Sequence, residues 1–341
     1  MTVGMASLFM AFSKVELFDL LMPYDANIER IVSGARYGDD PAHRLDVYAP
    51  RGRNEALPII VFFYGGGWDS GSRGGYGFAG AALAALGYVT VVPDYRLHPR
   101  VLYPDFLHDG AAAIAWARAH ARAYGADPDR IILAGHSAGA YNASMLALDR
   151  RWLARAGVPQ ETIVGLMGLA GPYDFLPLDD PATIRTFSHV EDLDETQPVN
   201  YVAAASPPAF LATGSEDKTV YPRHTKELAR RLRTAGVRVE EQVYSGIGHA
   251  GLVTAMARPL LWRAPLIPQM GDFIATIPHL PTKSHISRSG GYHLKHSTCT
   301  TLKALSIIFF AKDDTIFASS SSRQCAAYRC RLLALHTVRV T

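Results

Sequence analysis

The chain has 341 residues, 48% hydrophobic and 19% charged, so it is long enough for one large or two modest domains and too apolar for general disorder. Its net charge is +3, yet residues 282–341 hold nine of the 34 Lys and Arg but only two of the 31 Asp and Glu. The preceding 281 residues carry 25 basic and 29 acidic side chains, net −4, without a basic stripe interleaved with aromatic residues, which argues against nucleic-acid binding.

The positions of the cysteines and the hydropathy of the chain further narrow the class of protein. All three cysteines, Cys299, Cys325 and Cys330, lie in the basic C-terminal segment, so neither a disulfide framework nor a reactive thiol is predicted for the rest of the chain. No segment reaches the roughly 18 consecutive apolar residues of a membrane span. The apolar N-terminal segment lacks a basic n-region, so we interpret it as an amphipathic packing helix and expect a cytoplasmic protein.

Apolar runs and helical patterns alternate along the chain. The alternating run RLDVYAP, Arg44–Pro50, predicts a half-exposed strand, and the continuously apolar run PIIVFFY predicts a strand buried on both faces. Further strands are predicted at residues 88–95, 130–137, 162–171, 209–214 and 237–244, and helices at residues 75–87, 104–125, 138–150, 223–236 and 268–277. This alternation predicts an α/β fold with a mostly parallel central sheet and helices on both faces.

The GHSAG sequence at residues 135–139 fits the G-x-S-x-G pattern and lies between a predicted strand and a predicted helix. In that context the glycines permit a sharp turn that raises Oγ of Ser137 above the sheet, as in a nucleophile elbow. The alternative is a structural serine in a turn of small residues. Because a serine hydroxyl is a weak nucleophile, the catalytic hypothesis requires a base elsewhere in the chain.

Asp217 and His249 follow Ser137 in the order Ser, acid, His that this arrangement requires. Asp217 comes after a predicted strand in LATGSEDKTVYP, and His249 after the last predicted strand in YSGIGHAG. Because the carboxyl ends of parallel strands meet at one edge of a sheet, we expect the three side chains to lie together. Asp217 would orient the imidazole of His249, which would take the Ser137 proton. Glu216 is the alternative acid.

Three glycines follow the buried strand in PIIVFFYGGGW, where bare backbone can face either a phosphate or an oxyanion. Ser70 stands where G-x-G-x-x-G needs its third glycine and no G-K-[ST] follows, so phosphate binding is disfavoured. We predict instead that the N–H groups of Gly65, Gly66 and Ala138 form an oxyanion hole. No H-E-x-x-H or C-x-x-C motif occurs, so we expect no catalytic metal and no cofactor.

With these motifs the sequence resembles the α/β-hydrolase superfamily, and within it the hormone-sensitive-lipase-like and kynurenine-formamidase-like serine carboxylesterases. The resemblance covers about residues 17–277 and rests on YGGGW, VVPDYR, YPDFLHD, GHSAG, EDKTV and GHAG. The resemblance implies that the predicted triad and the predicted oxyanion hole described above have these roles. The family usually has His where Tyr64 stands and often Asp where His136 stands, which leaves the branch open.

The resemblance also implies features around the site. Residues 172–208 take the position of the family's cap, and because this segment is short we expect an open pocket for small acyl groups. Four aromatic residues are candidate pocket walls, with ordinary core packing as the alternative: Tyr64, Trp68, Tyr141 and Phe175. In the PDYR sequence we predict a buried ion pair between Asp94 and Arg96 that braces the loops, with a role in substrate binding as the alternative.

These observations predict a catalytic domain at residues 1–281 and an atypical basic tail at residues 282–341, outside the resemblance. The function they favour is hydrolysis of short-chain acyl esters, small-molecule substrates, through an acyl-enzyme intermediate. An arylformamidase or other amide hydrolase with the same triad is the alternative. A non-catalytic, ligand-binding homologue is the third hypothesis, which the presence of both Ser137 and His249 disfavours.

Overall fold

The computed structural model describes residues 14–52 and 56–277. Strands β1–β8 of this part of the chain are Ile28–Arg36, Arg44–Pro50, Leu57–Phe63, Val89–Pro93, Ala126–His136, Ile163–Leu169, Ala209–Gly214 and Val239–Tyr244. Helices α1–α9 are Lys14–Leu21, Gly77–Ala84, Asp105–His120, Ala138–Leu148, Arg150–Arg155, Pro181–Phe187, Arg223–Thr234, His249–Thr254 and Leu266–Ala275.

The eight strands form one sheet in the order β1-β2-β4-β3-β5-β6-β7-β8. The β1–β2 and β2–β4 pairs are antiparallel, and all pairs from β4 to β8 are parallel. Five successive β3 residues, from Ile59 to Phe63, are at most 1% exposed. Because neighbouring residues of a strand point to opposite faces, both faces of the sheet are covered. The predicted α/β architecture is confirmed.

Three details of the predicted secondary structure are corrected. β2 is not half-exposed: its five central residues are all buried, because β1 and β4 flank it and make it an interior strand. The edge strand β1 was not predicted, since all but one of its residues are exposed or half-buried and they do not alternate cleanly. The short helix α8 was also missed, because its six residues are too few to show a helical period.

Other sequence predictions fall partly or wholly outside the described residues. The N-terminal helix is present at Lys14–Leu21, whereas residues 1–13 are not described. The domain boundary at residue 281 and the basic tail with its three cysteines also lie outside the described ranges. In residues 14–52 and 56–277, none of the helices combines the length and apolarity needed to cross a membrane.

The cap segment, residues 172–208, connects β6 to β7 and contains α6 and two short 3-10 turns, Leu193–Thr196 and Pro198–Tyr201. Asp180 begins α6 as its N-cap: its Oδ1 accepts hydrogen bonds from the N–H groups of Ala182 at 2.8 Å and Thr183 at 3.2 Å. Such a cap satisfies backbone donors that the first helical turn leaves without intrahelical partners. The segment is therefore short but locally ordered.

Buried carboxylates brace the loops that follow the central strands. Asp109 of α3 is 2% exposed and accepts hydrogen bonds from the Arg96 N–H at 2.8 Å, from Arg96 Nη2 at 2.7 Å and from His43 Nε2 at 3.0 Å. Asp94 accepts from the N–H of Arg73 at 2.6 Å and also pairs with its guanidinium group. The predicted Asp94–Arg96 pair is therefore wrong, because each residue reaches a partner on a different element.

We expect Arg96→Met to lower the free energy of unfolding by about 2–4 kcal/mol, because it leaves the buried Asp109 carboxylate with most of its charge-assisted donors removed. Chemical denaturation followed by circular dichroism measures this change. Arg118→Met, which removes an ion pair to the 60% exposed Asp129, is the matched control and should shift the unfolding midpoint little. Equal effects of the two variants would contradict the bracing role.

Candidate active site

The turn between β5 and α4 places Ser137 in a backbone conformation rare for a residue with a side chain, with φ 56° and ψ −126°. Its N–H donates to the carbonyl oxygen of Leu169 on β6 at 2.9 Å. A Cβ on Gly135 would lie 2.3 Å from the Gly139 oxygen, and a Cβ on Gly139 would lie 2.1 Å from the Phe63 oxygen. Only glycines fit at these two positions, and the tight turn directs the serine side chain out of the sheet.

An unbroken chain of hydrogen bonds joins the three predicted catalytic side chains. Nε2 of His249 lies 2.8 Å from Oγ of Ser137, and Nδ1 of the same ring lies 2.8 Å from Oδ2 of Asp217. The imidazole side chain is 12% exposed and the carboxylate fully buried. This arrangement allows a proton to move from Ser137 to His249 while Asp217 holds the ring in the required tautomer.

The loop after β7 fixes the carboxylate. The second oxygen, Oδ1, of Asp217 accepts hydrogen bonds from the N–H groups of Thr219 at 3.0 Å and Val220 at 2.9 Å. Two backbone donors on one oxygen leave the other oxygen directed at His249. The alternative acid, Glu216, is exposed, and its backbone N–H donates to the Ile247 oxygen at 3.0 Å. The geometry therefore favours Asp217 as the partner of the histidine.

The glycine loop after β3 passes directly against the serine. A Cβ on Gly65 would lie 2.8 Å from Cβ of Ser137, and Gly66 has φ 139°, a value suited to glycine. The Gly66 carbonyl oxygen accepts from the N–H groups of Asp69 and Ser70, which closes the turn. The loop thus brings bare backbone to the position where an oxyanion would form next to the serine.

The three proposed oxyanion donors are not equivalent. Burial raises the pKa of Tyr76 to about 12, and the backbone N–H of Gly65 near its hydroxyl opposes that effect in part. Ala138 opens α4, and an N–H in the first helical turn has no intrahelical acceptor. The N–H groups of Gly66 and Ala138 are therefore the stronger candidates for oxyanion donors.

Three of the four candidate pocket residues belong to one aromatic cluster, while Tyr64 stacks elsewhere. Trp68 contacts the Tyr141 ring at 5.3 Å, and Tyr141 contacts Phe175 at 5.8 Å between centroids. Phe187 of the cap segment, which sequence reasoning missed, contacts all three, at 5.0, 5.4 and 5.1 Å. Each of the four is at most 5% exposed, so they pack as a core between the glycine loop, α4 and the cap segment.

The cap segment also contacts the glycine loop directly. Arg185 of α6 pairs with Asp69, the residue after Trp68, and both side chains are exposed. A Cβ added to Gly67 would lie 3.4 Å from Cβ of Ala182, so the first turn of α6 lies against the loop. The position of the glycine loop therefore depends on the cap segment as well as on β3.

Several known proteins are similar to this chain in sequence. Residues 45–232 match the BD-FAE family model. Esterase LipC of Mycobacterium tuberculosis is 32% identical over 216 residues, 58% of this chain and 54% of that protein. Isoprenylcysteine alpha-carbonyl methylesterase of Arabidopsis thaliana is 28% identical over 237 residues, 63% of this chain and 56% of that protein. This chain thus spans about half the length of the curated relatives it matches.

Solved esterase structures have the same fold. Esterase B of Lactobacillus rhamnosis, in an inhibited form, superposes with a TM-score of 0.65 at 20% identity, over 79% of this chain and 92% of that one. Esterase 2 of Thermogutta terrifontis, with butyrate bound, superposes with a TM-score of 0.61 at 23% identity, over 73% of this chain and 95% of that one. The family match covers more than half of the chain, and the mostly parallel eight-stranded sheet is consistent with the fold likeness to these esterases. The chain therefore belongs to the BD-FAE family of the α/β-hydrolase superfamily.

Proposed function

We propose that this chain is a serine carboxylesterase that hydrolyses short-chain acyl esters through a covalent acyl-enzyme. The observation that carries the proposal is the continuous hydrogen-bond chain from Asp217 through His249 to Ser137, with both links at 2.8 Å. Relatives at 28–32% identity that are named esterase or methylesterase support the same reaction class.

The geometry supports the following sequence of steps. Oγ of Ser137 attacks the ester carbonyl carbon while Nε2 of His249 takes the hydroxyl proton. The carbonyl oxygen becomes an oxyanion that accepts hydrogen bonds from the N–H groups of Gly66 and Ala138. Collapse expels the alcohol, which receives the proton from His249, and leaves an acyl-serine. Water, deprotonated by the same imidazole, attacks this ester, and the carboxylic acid leaves as Ser137 is re-protonated.

The aromatic cluster supports a preference for short acyl chains. Tyr141 lies one helical turn after Ser137, and its backbone N–H donates to the backbone carbonyl oxygen of Ser137 at 3.1 Å. Trp68 lies two residues after Gly66, and its Nε1–H donates to Oδ1 of Asn142 at 3.1 Å. Because the aromatic rings between α4 and the cap segment are nearly fully buried and pack on one another, a long acyl chain entering this region would have to displace a buried side chain.

Tyr64, where the family usually has His, acts as a support for the glycine loop in this proposal. Its ring stacks on Tyr95 at 4.6 Å, and the Tyr95 hydroxyl donates to the Tyr64 carbonyl oxygen at 2.7 Å. Burial raises the pKa of the Tyr64 hydroxyl well above its usual value, so the phenol stays protonated. A neutral phenol locked in this pair is a packing element, not a proton relay.

An arylformamidase is the second candidate, because an N-formyl group needs the same nucleophile, base and oxyanion hole. The small formyl group also fits a site that excludes long acyl chains. The non-catalytic hypothesis is disfavoured by the hydrogen-bonded triad, since a binding protein has no need of a base at 2.8 Å from the serine.

Replacing the nucleophile tests the mechanism. Ser137→Ala should lower kcat for p-nitrophenyl acetate by roughly four orders of magnitude or more while the fold stays intact. The double variant with His249→Ala should be little worse, because triad members act as a unit. Ser188→Ala, at an exposed serine of the cap segment, is the control. Retention of a tenth of the activity by Ser137→Ala would end the proposal.

Tyr64→Phe tests whether the phenol takes part in the chemistry. The variant keeps the ring stacking and removes one hydroxyl, so kcat/KM for p-nitrophenyl acetate should fall by less than about tenfold, corresponding to about 1 kcal/mol. A thousandfold loss in a folded variant would mean that the hydroxyl contacts the reacting atoms.

A panel of p-nitrophenyl esters of increasing acyl length, together with N-formylkynurenine, tests specificity. We expect the highest kcat/KM at about two to six acyl carbons, with a steep fall beyond, because each further methylene meets a filled site. A preference for N-formylkynurenine by a factor of a hundred would favour the formamidase.

Phe187→Ala should move the acyl optimum towards longer chains, because it opens a cavity in the cluster beside Tyr141. Ile184→Ala, on the same helix but 43% exposed, is the matched control and should leave the optimum unchanged. An optimum that does not move in Phe187→Ala would show that the cluster does not limit acyl length.

A further inference from the structure

His136, the variable residue of the G-x-S-x-G pattern, contacts the proposed catalytic histidine twice. Its ring lies 4.7 Å from the His249 ring between centroids, at an interplanar angle of 39°. Its Nε2 lies 3.2 Å from the carbonyl oxygen of His249. The side chain is therefore bound to both the ring and the backbone of the residue that would serve as base.

The hydrogen bond fixes the tautomer of His136. A carbonyl oxygen only accepts, so Nε2 carries the hydrogen and Nδ1 carries a lone pair. Burial, together with the nearby His249, holds the pKa of His136 well below its usual value, so the ring stays neutral. A neutral ring does not oppose the positive charge that His249 gains when it takes the serine proton.

Space filling alone does not account for a histidine here. The side chain is 3% exposed, and among the described residues its Nδ1 has no hydrogen-bond partner. A buried acceptor without a partner is destabilising by about 1–3 kcal/mol. An apolar side chain of similar volume would avoid that penalty, but it would also lose the donor to the His249 carbonyl.

The hydrogen bond to Asp217 does not by itself prevent rotation of the His249 ring, and the contacts with His136 restrict that rotation. A ring held at Nδ1 can still pivot about that hydrogen bond, which would move Nε2 away from Ser137. The His136 ring lies against the His249 ring, and its Nε2–H anchors the backbone at the first residue of α8. Together the two contacts oppose this pivot.

We propose that His136 is a positioning residue that holds the imidazole of His249 in the orientation from which Nε2 meets Oγ of Ser137. The inference rests on the proposed function, because it assigns a role within the same site. His136 touches no reacting atom, and it acts through the alignment of His249. Its removal should therefore lower kcat more than it changes KM.

The test compares two substitutions that differ in one property. His136→Met fills a similar volume without a donor, whereas His136→Gln retains an amide N–H near the position of Nε2. With p-nitrophenyl acetate, His136→Met should lower kcat roughly 10- to 100-fold with KM changed less than about twofold, and His136→Gln should recover most of the loss. His120→Met, at an exposed histidine of α3, is the control.

Crystal structures of the two variants give a readout that does not depend on turnover. In His136→Met the distance from His249 Nε2 to Ser137 Oγ should exceed 3.5 Å, or the ring should occupy more than one orientation, whereas His136→Gln should keep a single ring within hydrogen-bond reach. If His136→Met does not fold, His136→Leu replaces it.

Wild-type kcat in His136→Met, or an unchanged hydrogen bond in its crystal structure, would overturn the inference. Equal losses in the Met and Gln variants would overturn the role of the hydrogen bond. An inactive wild-type protein would contradict the proposed function instead, and the variant structures would still decide whether His136 aligns His249.

Discussion

The close approach of α4 to the end of β3 is the constraint on which the site depends. The backbone at Gly139 lies so near the Phe63 carbonyl that a Cβ there would come within 2.1 Å of the oxygen. The chain between β5 and α4 must therefore turn sharply, and Ser137 adopts its positive φ at that turn. Because the glycine loop continues from β3, the same approach brings Gly65 and Gly66 alongside the serine. The proposed nucleophile and the proposed oxyanion donors thus share one structural origin.

Backbone N–H groups and buried carboxylates hold the other parts of the site. Asp217 is 2% exposed and binds two N–H groups of its own loop, which directs its free oxygen at His249. Asp109 and Asp46 are equally buried and bind arginines of the loops after β4 and β3. A buried carboxylate is destabilising unless donors surround it, so each one requires a specific loop conformation.

The cap segment contributes to the site without supplying a triad residue. Phe187 packs into the aromatic cluster, and Arg185 pairs with Asp69 at the end of the glycine loop. An exposed ion pair stabilises a loop only weakly, so the buried ring contact is the main restraint. In the proposed mechanism, acyl specificity and the geometry of the glycine loop would therefore be linked through α6, because a substitution that enlarges the site would also loosen the loop beside it.

The sequence by itself determined the fold class, most helices and strands, and the order of Ser137, Asp217 and His249, because strand burial and turn glycines leave local patterns. The tertiary structure decided what has no local signal. It made β2 an interior strand and gave Asp94 and Arg96 separate partners. It also brought Phe187 to the cluster and His136 to His249, 113 residues away along the chain. Hydrogen bonds and ring contacts depend on angles and distances between elements far apart in the chain, which residue type and spacing do not encode.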